Sequence, residues 1–101
     1  MIKILTSLCL LTVFAFPATA SDDYTEELYE LYCHSCHGVK GSGAPLTFNR
    51  SEWKPYLKKG INKLIDNAIS GIGNMPAMGT CSECGPEELQ DLIEFMSKKE
   101  K

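Results

Sequence analysis

The sequence predicts a small all-α domain, and three observations lead to this class. Apolar residues recur at helical spacings of three and four in three separate segments. No run of four or more residues alternates between apolar and polar side chains as a strand would. Two stretches rich in glycine and proline, residues 38–49 and 71–85, lie between the periodic segments and are predicted to be loops.

The first 20 residues are predicted to be a secretory signal peptide. A single base, Lys3, precedes a largely apolar run of 13 residues, and Pro17 ends that run before the small-residue cleavage pattern of residues 18–20. The run is too short to span a membrane, and Cys9 within it is discarded on cleavage after Ala20. We therefore expect export to the periplasm. The mature domain of 81 residues, 21–101, buries little apolar area, so it needs a cross-link or a bound group for stability.

The first predicted helix begins after Asp22 and Asp23, which are suitable N-terminal caps. Its apolar side chains recur at i, i+4, i+7 and i+8, and they are Tyr24, Leu28, Leu31 and Tyr32. This helix leads into the attachment motif, residues 33–37, with the sequence C-H-S-C-H.

A C-x-x-C-H run is typical of covalent attachment of a c-type haem. The thiols of Cys33 and Cys36 are spaced to bond the two vinyl groups of one porphyrin, and His37 then lies under the ring as an iron ligand. The attached haem would also provide the additional stabilisation that so small a domain needs. His34 is expected to be exposed to solvent.

Three further helices are predicted. A short one starts at Ser51. The next ends at Gly71, and its apolar residues are Ile61, Leu64, Ile65, Ala68 and Ile69. The last starts at Pro86, with Glu87 and Glu88 in its first turn and Lys98 and Lys99 in its last. Its apolar residues are Leu89, Leu92, Ile93 and Met96.

An iron held by His37 needs a second axial ligand, and the chain offers few candidates. The other histidine of the chain, His34, is tied to the attachment motif on the same side of the ring. Met96 falls on the apolar face of the last helix and is expected to pack in the core. Met75 and Met78 lie in the loop 71–79, so at least one of them is predicted to bind iron.

Nearly all of residues 21–101 resembles a small class I bacterial cytochrome c of the c5 type. The resemblance rests on the attachment motif, a Gly-Ala-Pro loop, a tryptophan helix, a methionine loop and a second C-x-x-C pair. After the attachment motif these are Gly43-Ala44-Pro45, residues 53–60, Asn74-Met75-Pro76 and Cys81-Ser82-Glu83-Cys84. The family implies a fold of three to four helices wrapped around one covalently attached haem c.

The resemblance also implies the axial set. Met75, rather than Met78, would be the sixth ligand. The Pro45 carbonyl would accept a hydrogen bond from the second ring nitrogen of His37, a contact that fixes the orientation and basicity of the imidazole.

The tryptophan helix departs from the family pattern at one position. The family often has Trp-x-x-Arg, in which the arginine faces a haem propionate, but this chain has Tyr56 there. Whether Arg50 or Lys54 replaces this arginine at the propionate is left open. Trp53 is predicted to lie at the haem, where it either donates its indole N–H to a propionate or packs on the ring.

The second pair, Cys81 and Cys84, has three interpretations. Export favours a disulfide that fixes the start of the last helix to the methionine loop, and this is our prediction. A redox-active dithiol is the second interpretation. The third is a four-cysteine zinc site with Cys33 and Cys36, but 44 residues separate the two pairs, whereas zinc ribbons commonly have about 15–20.

Charge is divided unevenly along the chain. Residues 38–63 carry six bases and one acid, a net of +5, whereas the rest of residues 21–101 carries −9. The negative total excludes a typical nucleic-acid binder. The basic segment suggests electrostatic steering of redox protein partners, with Lys40 as the first expected contact. Such partners should bind transiently, through interfaces below about 1,200 Å².

Histidine and methionine at both axial positions would leave no open coordination site for a substrate, and the soft sulfur favours ferrous iron. The expected function is therefore a one-electron carrier between respiratory-chain partners, and not an enzyme. One alternative is a small haem enzyme or gas sensor with a dissociable distal methionine, for which the loop offers Asn74 and Thr80 as polar groups. The other is a redox-relay subunit of a larger complex.

Overall fold

A computed structural model describes residues 9–14 and 20–98. Residues 20–98 form short helices, and the two longest loops between them lie within residues 38–49 and 71–85. The elements are α1 (Ala20–Leu28), a π-helical turn (Tyr29–Cys33), α2 (His34–His37), α3 (Arg50–Leu57), α4 (Ile61–Ser70), a 3₁₀ turn (Ala77–Thr80) and α5 (Pro86–Met96). Within the described residues there is no strand, and only an isolated bridge joins Ile72 and Met75. The all-α prediction is confirmed.

Most of the predicted signal peptide, residues 1–8 and 15–19, lies outside the described residues. In the described part, the apolar side chains of residues 10, 11, 13 and 14 are 76–88 % exposed and so contribute nothing to the core. No helix in the described part of the chain is long and apolar enough to cross a membrane.

The first helix differs from its prediction in start and in face. It begins at Ala20, so Asp22 and Asp23 fall inside the helix rather than before it. Two of the four predicted apolar residues face inward, since Leu28 is buried and Tyr32 is half-buried, whereas Tyr24 and Leu31 are 44 % and 63 % exposed. Thr25 and Tyr29 are buried in their place. The π-helical turn is one reason: its extra residue per turn rotates the side chains that follow Tyr29.

Helix α5 matches its prediction closely at the N-terminal end. It starts at Pro86, and the Glu88 carboxylate accepts a hydrogen bond of 3.0 Å from the Gly85 N–H. All four predicted apolar residues are buried. The C-terminal prediction is wrong, because the helix ends at Met96, before Lys98. Lys99 lies outside the described residues.

The middle helices differ from their predictions by one residue or one side chain. Helix α3 starts at Arg50 rather than Ser51 because Asn49 caps it, accepting a hydrogen bond of 3.2 Å from the Glu52 N–H. In α4 the central apolar residues are buried but Ile69 is 37 % exposed. Gly71 ends α4 with a φ of 81°, a left-handed conformation that glycine adopts without strain.

The core lies among α1, the π-helical turn, α4 and α5, closed on one side by Trp53 of α3. Its most buried side chains are Leu28, Leu92 and Cys81, each about 1 % exposed. Burying an aliphatic side chain of this kind stabilises the fold by about 1.5–3 kcal/mol. Met96 is also buried, as predicted.

Candidate haem site

An apolar cleft of about 510 Å³, counting its open mouth, lies between the attachment motif and the loop of residues 71–80, here called the methionine loop. Three of its lining side chains are polar, His37, Tyr56 and Asn67; the others are Pro45, Trp53, Leu64, Ala68, Ile72, Met75, Ile93 and Met96. A largely apolar wall with few polar groups suits a flat apolar cofactor. The imidazole and the thioether that the sequence singles out both line this one cleft.

The attachment motif lies in the π-helical turn and α2. His37 is 8 % exposed, Cys33 is half-buried and Cys36 is exposed. Burial, with a smaller contribution from neighbouring Cys36, raises the pKa of the Cys33 thiol to about 11, so the free thiol is protonated at neutral pH. His34 is exposed, as predicted, and its ring meets the Tyr29 ring edge-on.

The loop of residues 42–49, here called the proximal loop, fixes the orientation of His37. The Nδ1 atom of His37 donates to the Pro45 carbonyl at 2.9 Å. Because a carbonyl oxygen only accepts, Nδ1 carries the proton and the lone pair of Nε2 is left for a metal ion. The His37 carbonyl accepts from both the Thr47 N–H at 2.8 Å and the Thr47 hydroxyl at 3.0 Å.

The proximal loop is anchored at three further points. The Ser42 hydroxyl donates to the Cys36 carbonyl at 2.6 Å. The Phe48 N–H donates to the carbonyl of Met96 at the end of α5, at 2.7 Å. The third anchor is the Trp53 side chain on α3. The loop therefore ties the attachment motif to both α3 and α5.

Trp53 contacts the loop and the imidazole together. Its indole N–H donates to the Leu46 carbonyl at 3.0 Å, and its ring stacks on His37 with centroids 5.5 Å apart and planes 20° apart. The single indole N–H is thus donated within the chain, which favours packing over donation to a propionate among the two predicted roles. The packing role agrees with the position of Trp53 in the cleft wall.

The methionine loop presents Met75 to the cleft. Ile72 and Met75 close a tight turn through reciprocal backbone hydrogen bonds of 3.1 and 2.9 Å. Met75 lines the cleft, whereas Met78 does not and packs half-buried against the core. Gly71 is needed for this path, since a Cβ there would lie 2.9 Å from both the Met75 carbonyl oxygen and the Ala77 nitrogen.

The three polar side chains of α3 that the sequence offered as possible propionate partners lie in different places. Tyr56 lines the cleft, but Arg50 and Lys54 line an open depression elsewhere on α3. Neither base therefore lies in the wall of the cleft. The ammonium of Lys59 lies instead 5.6 Å from the centroid of the Tyr56 ring.

Asn67 is the cleft residue that sequence reasoning missed. It lies on α4 between the cleft-lining residues Leu64 and Ala68, and this helical spacing was the available signal. The polar candidates predicted from the loop, Asn74 and Thr80, are exposed and do not line the cleft.

Cys81 and Cys84 are joined as a disulfide in the structure, with Cα atoms 5.4 Å apart. Both are buried, at 1 % and 7 % exposure, which disfavours a dithiol that exchanges readily with partners. In the described residues no three side chains of histidine, cysteine or acidic residues converge on a metal position, so the four-cysteine zinc interpretation is wrong.

Comparisons with known proteins bear on this site. Residues 20–96 match a family model described as cytochrome c oxidase, cbb3-type, subunit III. The chain is 35 % identical to cytochrome c5 of Ectopseudomonas mendocina over 74 residues, which cover 71 % of this chain and 85 % of that protein.

Two solved structures have a similar fold. A mono-heme ferrocytochrome c from Shewanella putrefaciens aligns with a TM-score of 0.66 and 37 % identity, covering 75 % of this chain and 94 % of that one. A chain from an electron transfer complex of nitrite reductase with cytochrome c aligns with a TM-score of 0.65 and 27 % identity, covering 72 % and 89 %.

Proposed function

Since the chain belongs to the class I c-type cytochromes of the c5 type and carries one haem c, we propose that it is an exported one-electron carrier. In this proposal Cys33 and Cys36 form the thioether bonds, and His37 and Met75 are the axial ligands. The observation that carries the proposal is the apolar cleft whose wall contains both His37 and Met75, beside the attachment motif.

Haem c supplies a one-electron ferric/ferrous couple when bound. The residues of the chain define how that couple is held. The hydrogen bond from His37 to the Pro45 carbonyl orients the imidazole and increases its basicity, and it leaves Nε2 as the nitrogen that would bind the metal. A Met75 thioether ligand would favour the reduced state, and apolar side chains exclude water from the cleft.

Two further proposals concern maturation. The apolar side chains of residues 10–14 lie outside the core, which supports cleavage of residues 1–20 and a periplasmic domain of residues 21–101. An oxidising compartment also suits an oxidised, buried Cys81–Cys84 pair. We propose that this disulfide is structural.

Partners are proposed to be redox proteins that bind transiently. A related cytochrome c has been solved in an electron transfer complex with nitrite reductase, which supports a carrier that docks on larger enzymes. A redox-relay subunit of a permanent complex is the second candidate, favoured by the description of the matching family model. Size-exclusion chromatography of the protein from its native host distinguishes these, because a free carrier elutes at the mass of a single small domain.

Haem attachment is tested on the purified exported protein. Acidified acetone should leave the colour with the polypeptide, and intact mass should equal residues 21–101 plus one haem. The double substitution Cys33→Ala and Cys36→Ala should lose covalent colour, whereas Cys9→Ala, the matched control, should not change it. Haem that extracts from the unmodified protein would contradict the proposal.

The enzyme and gas-sensor alternatives are tested on the same sample. Two protein ligands at the iron predict that the ferric protein does not bind cyanide and does not react rapidly with peroxide. Fast binding of either in the unmodified protein would favour a dissociable Met75 and a haem enzyme or sensor.

A further inference from the structure

Helix α3 and its C-cap residue Lys58 carry a row of three bases on the solvent side. Arg50, Lys54 and Lys58 recur at i, i+4 and i+8, which aligns them along one face of the helix. All three are exposed, and with Ser51 and Leu57 they line an open depression. We call these three residues the α3 basic row.

The charges of this row are not used within the molecule. None of the three side chains forms an ion pair with any of the residues that the structure describes. They do not line the haem cleft either. Three aligned like charges destabilise a helix slightly, so their presence needs a reason outside the fold.

The part of the chain outside residues 38–63 has a net charge of the opposite sign. Residues 38–63 have a net charge of +5, whereas the remainder of residues 21–101 has −9, with acids concentrated on α1 and α5. The α3 basic row is therefore a local positive region on a negative molecule. Such a distribution orients an approaching partner so that its acidic surface meets α3.

The row is also close to the proposed electron-carrying centre. Trp53 lies on the same helix, stacked on His37 with ring centroids 5.5 Å apart. Trp53 therefore connects helix α3 to the imidazole of His37. Half-buried Leu57 adds an apolar floor to the depression.

We infer that the α3 basic row is the docking surface for a carboxylate-rich face of a partner protein, an inference that rests on the proposed carrier function. A protein partner fits better than an anionic membrane for two reasons. A concave depression accepts protruding side chains, whereas a flat bilayer would also repel the acidic remainder of the surface.

The probe is a decaglutamate peptide, titrated into the ¹⁵N-labelled, reduced holoprotein at about 0.01 M ionic strength, where screening is weak. Amide shifts should be largest along α3. The double variant Lys54→Glu/Lys58→Glu should bind at least about tenfold more weakly, because two attractive contacts become repulsive. The control Lys63→Glu/Lys98→Glu changes net charge equally, at two exposed bases outside the row, and should bind nearly as the unmodified protein does.

Three results would overturn the inference: equal weakening by both double variants, shifts centred on Lys40, or binding to phosphatidylserine-containing vesicles that only the α3 variant loses. Voltammetry of each variant separates this from the proposed function. Absence of a reversible one-electron couple in the unmodified protein would contradict the carrier itself. A normal couple with no preference for α3 would contradict the docking surface alone.

Discussion

The two walls of the cleft are held in different ways. On the His37 side, the proximal loop makes hydrogen bonds to α2, α3 and the end of α5. On the Met75 side, the backbone bonds outside the helices join residues three apart, such as Ile72 and Met75. Non-glycine residues with left-handed backbone, each strained by about 1–2 kcal/mol, occur on both sides: Met78 and Thr80 in the methionine loop and Phe48 in the proximal loop.

This difference means that the imidazole is held by several tertiary contacts, whereas the thioether depends on local turn conformation. Loss of one contact on the His37 side leaves others in place. A change in the methionine loop has fewer compensating contacts. We therefore expect single substitutions to disturb the Met75 side more than the His37 side, and the four predictions below test this from the largest effect to the smallest.

Met75→Ala should have the largest effect. Loss of the proposed ligand should abolish the weak sulfur-to-iron charge-transfer band of the ferric protein, lower the reduction potential and allow cyanide to bind. Met78→Ala is the control in the same loop and should leave all three nearly unchanged, because Met78 does not line the cleft. Reversed behaviour of the two variants would show that Met78 is the ligand.

Gly71→Ala should come next. The new Cβ would combine a positive φ of 81° with contacts of 2.9 Å to backbone atoms of the methionine loop, for a loss of about 3 kcal/mol in the free energy of unfolding. Gly60→Ala is the control, since its φ is 89° but nothing lies within 4 Å of its Cβ, and about 1–2 kcal/mol is expected. Denaturant unfolding gives both values, and equal losses would refute the close-contact argument.

Removal of the disulfide should have a smaller effect. Replacing both Cys81 and Cys84 by serine frees the C-terminal end of the methionine loop and should lower stability by about 2 kcal/mol, because the closed loop is short. The haem spectrum should persist. Thermal unfolding measures the change, and two thiols that are freely alkylated in the native unmodified protein would contradict the disulfide.

Thr47→Val should have the smallest effect. It removes the hydroxyl hydrogen bond to the His37 carbonyl, but the Thr47 N–H keeps its own bond to the same oxygen at 2.8 Å. We expect a loss of about 1 kcal/mol, a fall in Tm of about 4–8 °C and no change in reduction potential. A potential shift as large as that of Met75→Ala would show that the His37 side is not better supported.

Most of the fold was predictable because helical periodicity depends only on residues that are close in sequence. All four predicted apolar residues of α5 are buried, and α4 ends at Gly71 as expected. The first helix shows the limit of this reasoning. Only two of its four predicted apolar residues, Leu28 and Tyr32, face inward, and no spacing rule predicts a π-helical turn at Tyr29–Cys33.

The candidate site divides in the same way. The attachment residues, the two methionine candidates and the second cysteine pair follow from residue type and local spacing. The resemblance chose Met75 over Met78 and added Pro45, and the roles of both at the haem remain predictions. The sequence did not reveal that Thr47 holds the His37 carbonyl or that Asn67 lines the cleft. These contacts join separate elements, so neither a sequence motif nor helical periodicity predicts them.

The sequence by itself determined the all-α class, the attachment motif, the two methionine candidates and the segregation of charge, because each depends on residue type and on short spacings. Only the tertiary structure decided which way α3 faces. Its rotation gives the Trp53 N–H to Leu46 and leaves Arg50 and Lys54 outside the cleft. That rotation is set by packing against His37 and the proximal loop, which are distant in sequence and meet α3 only when the chain is folded.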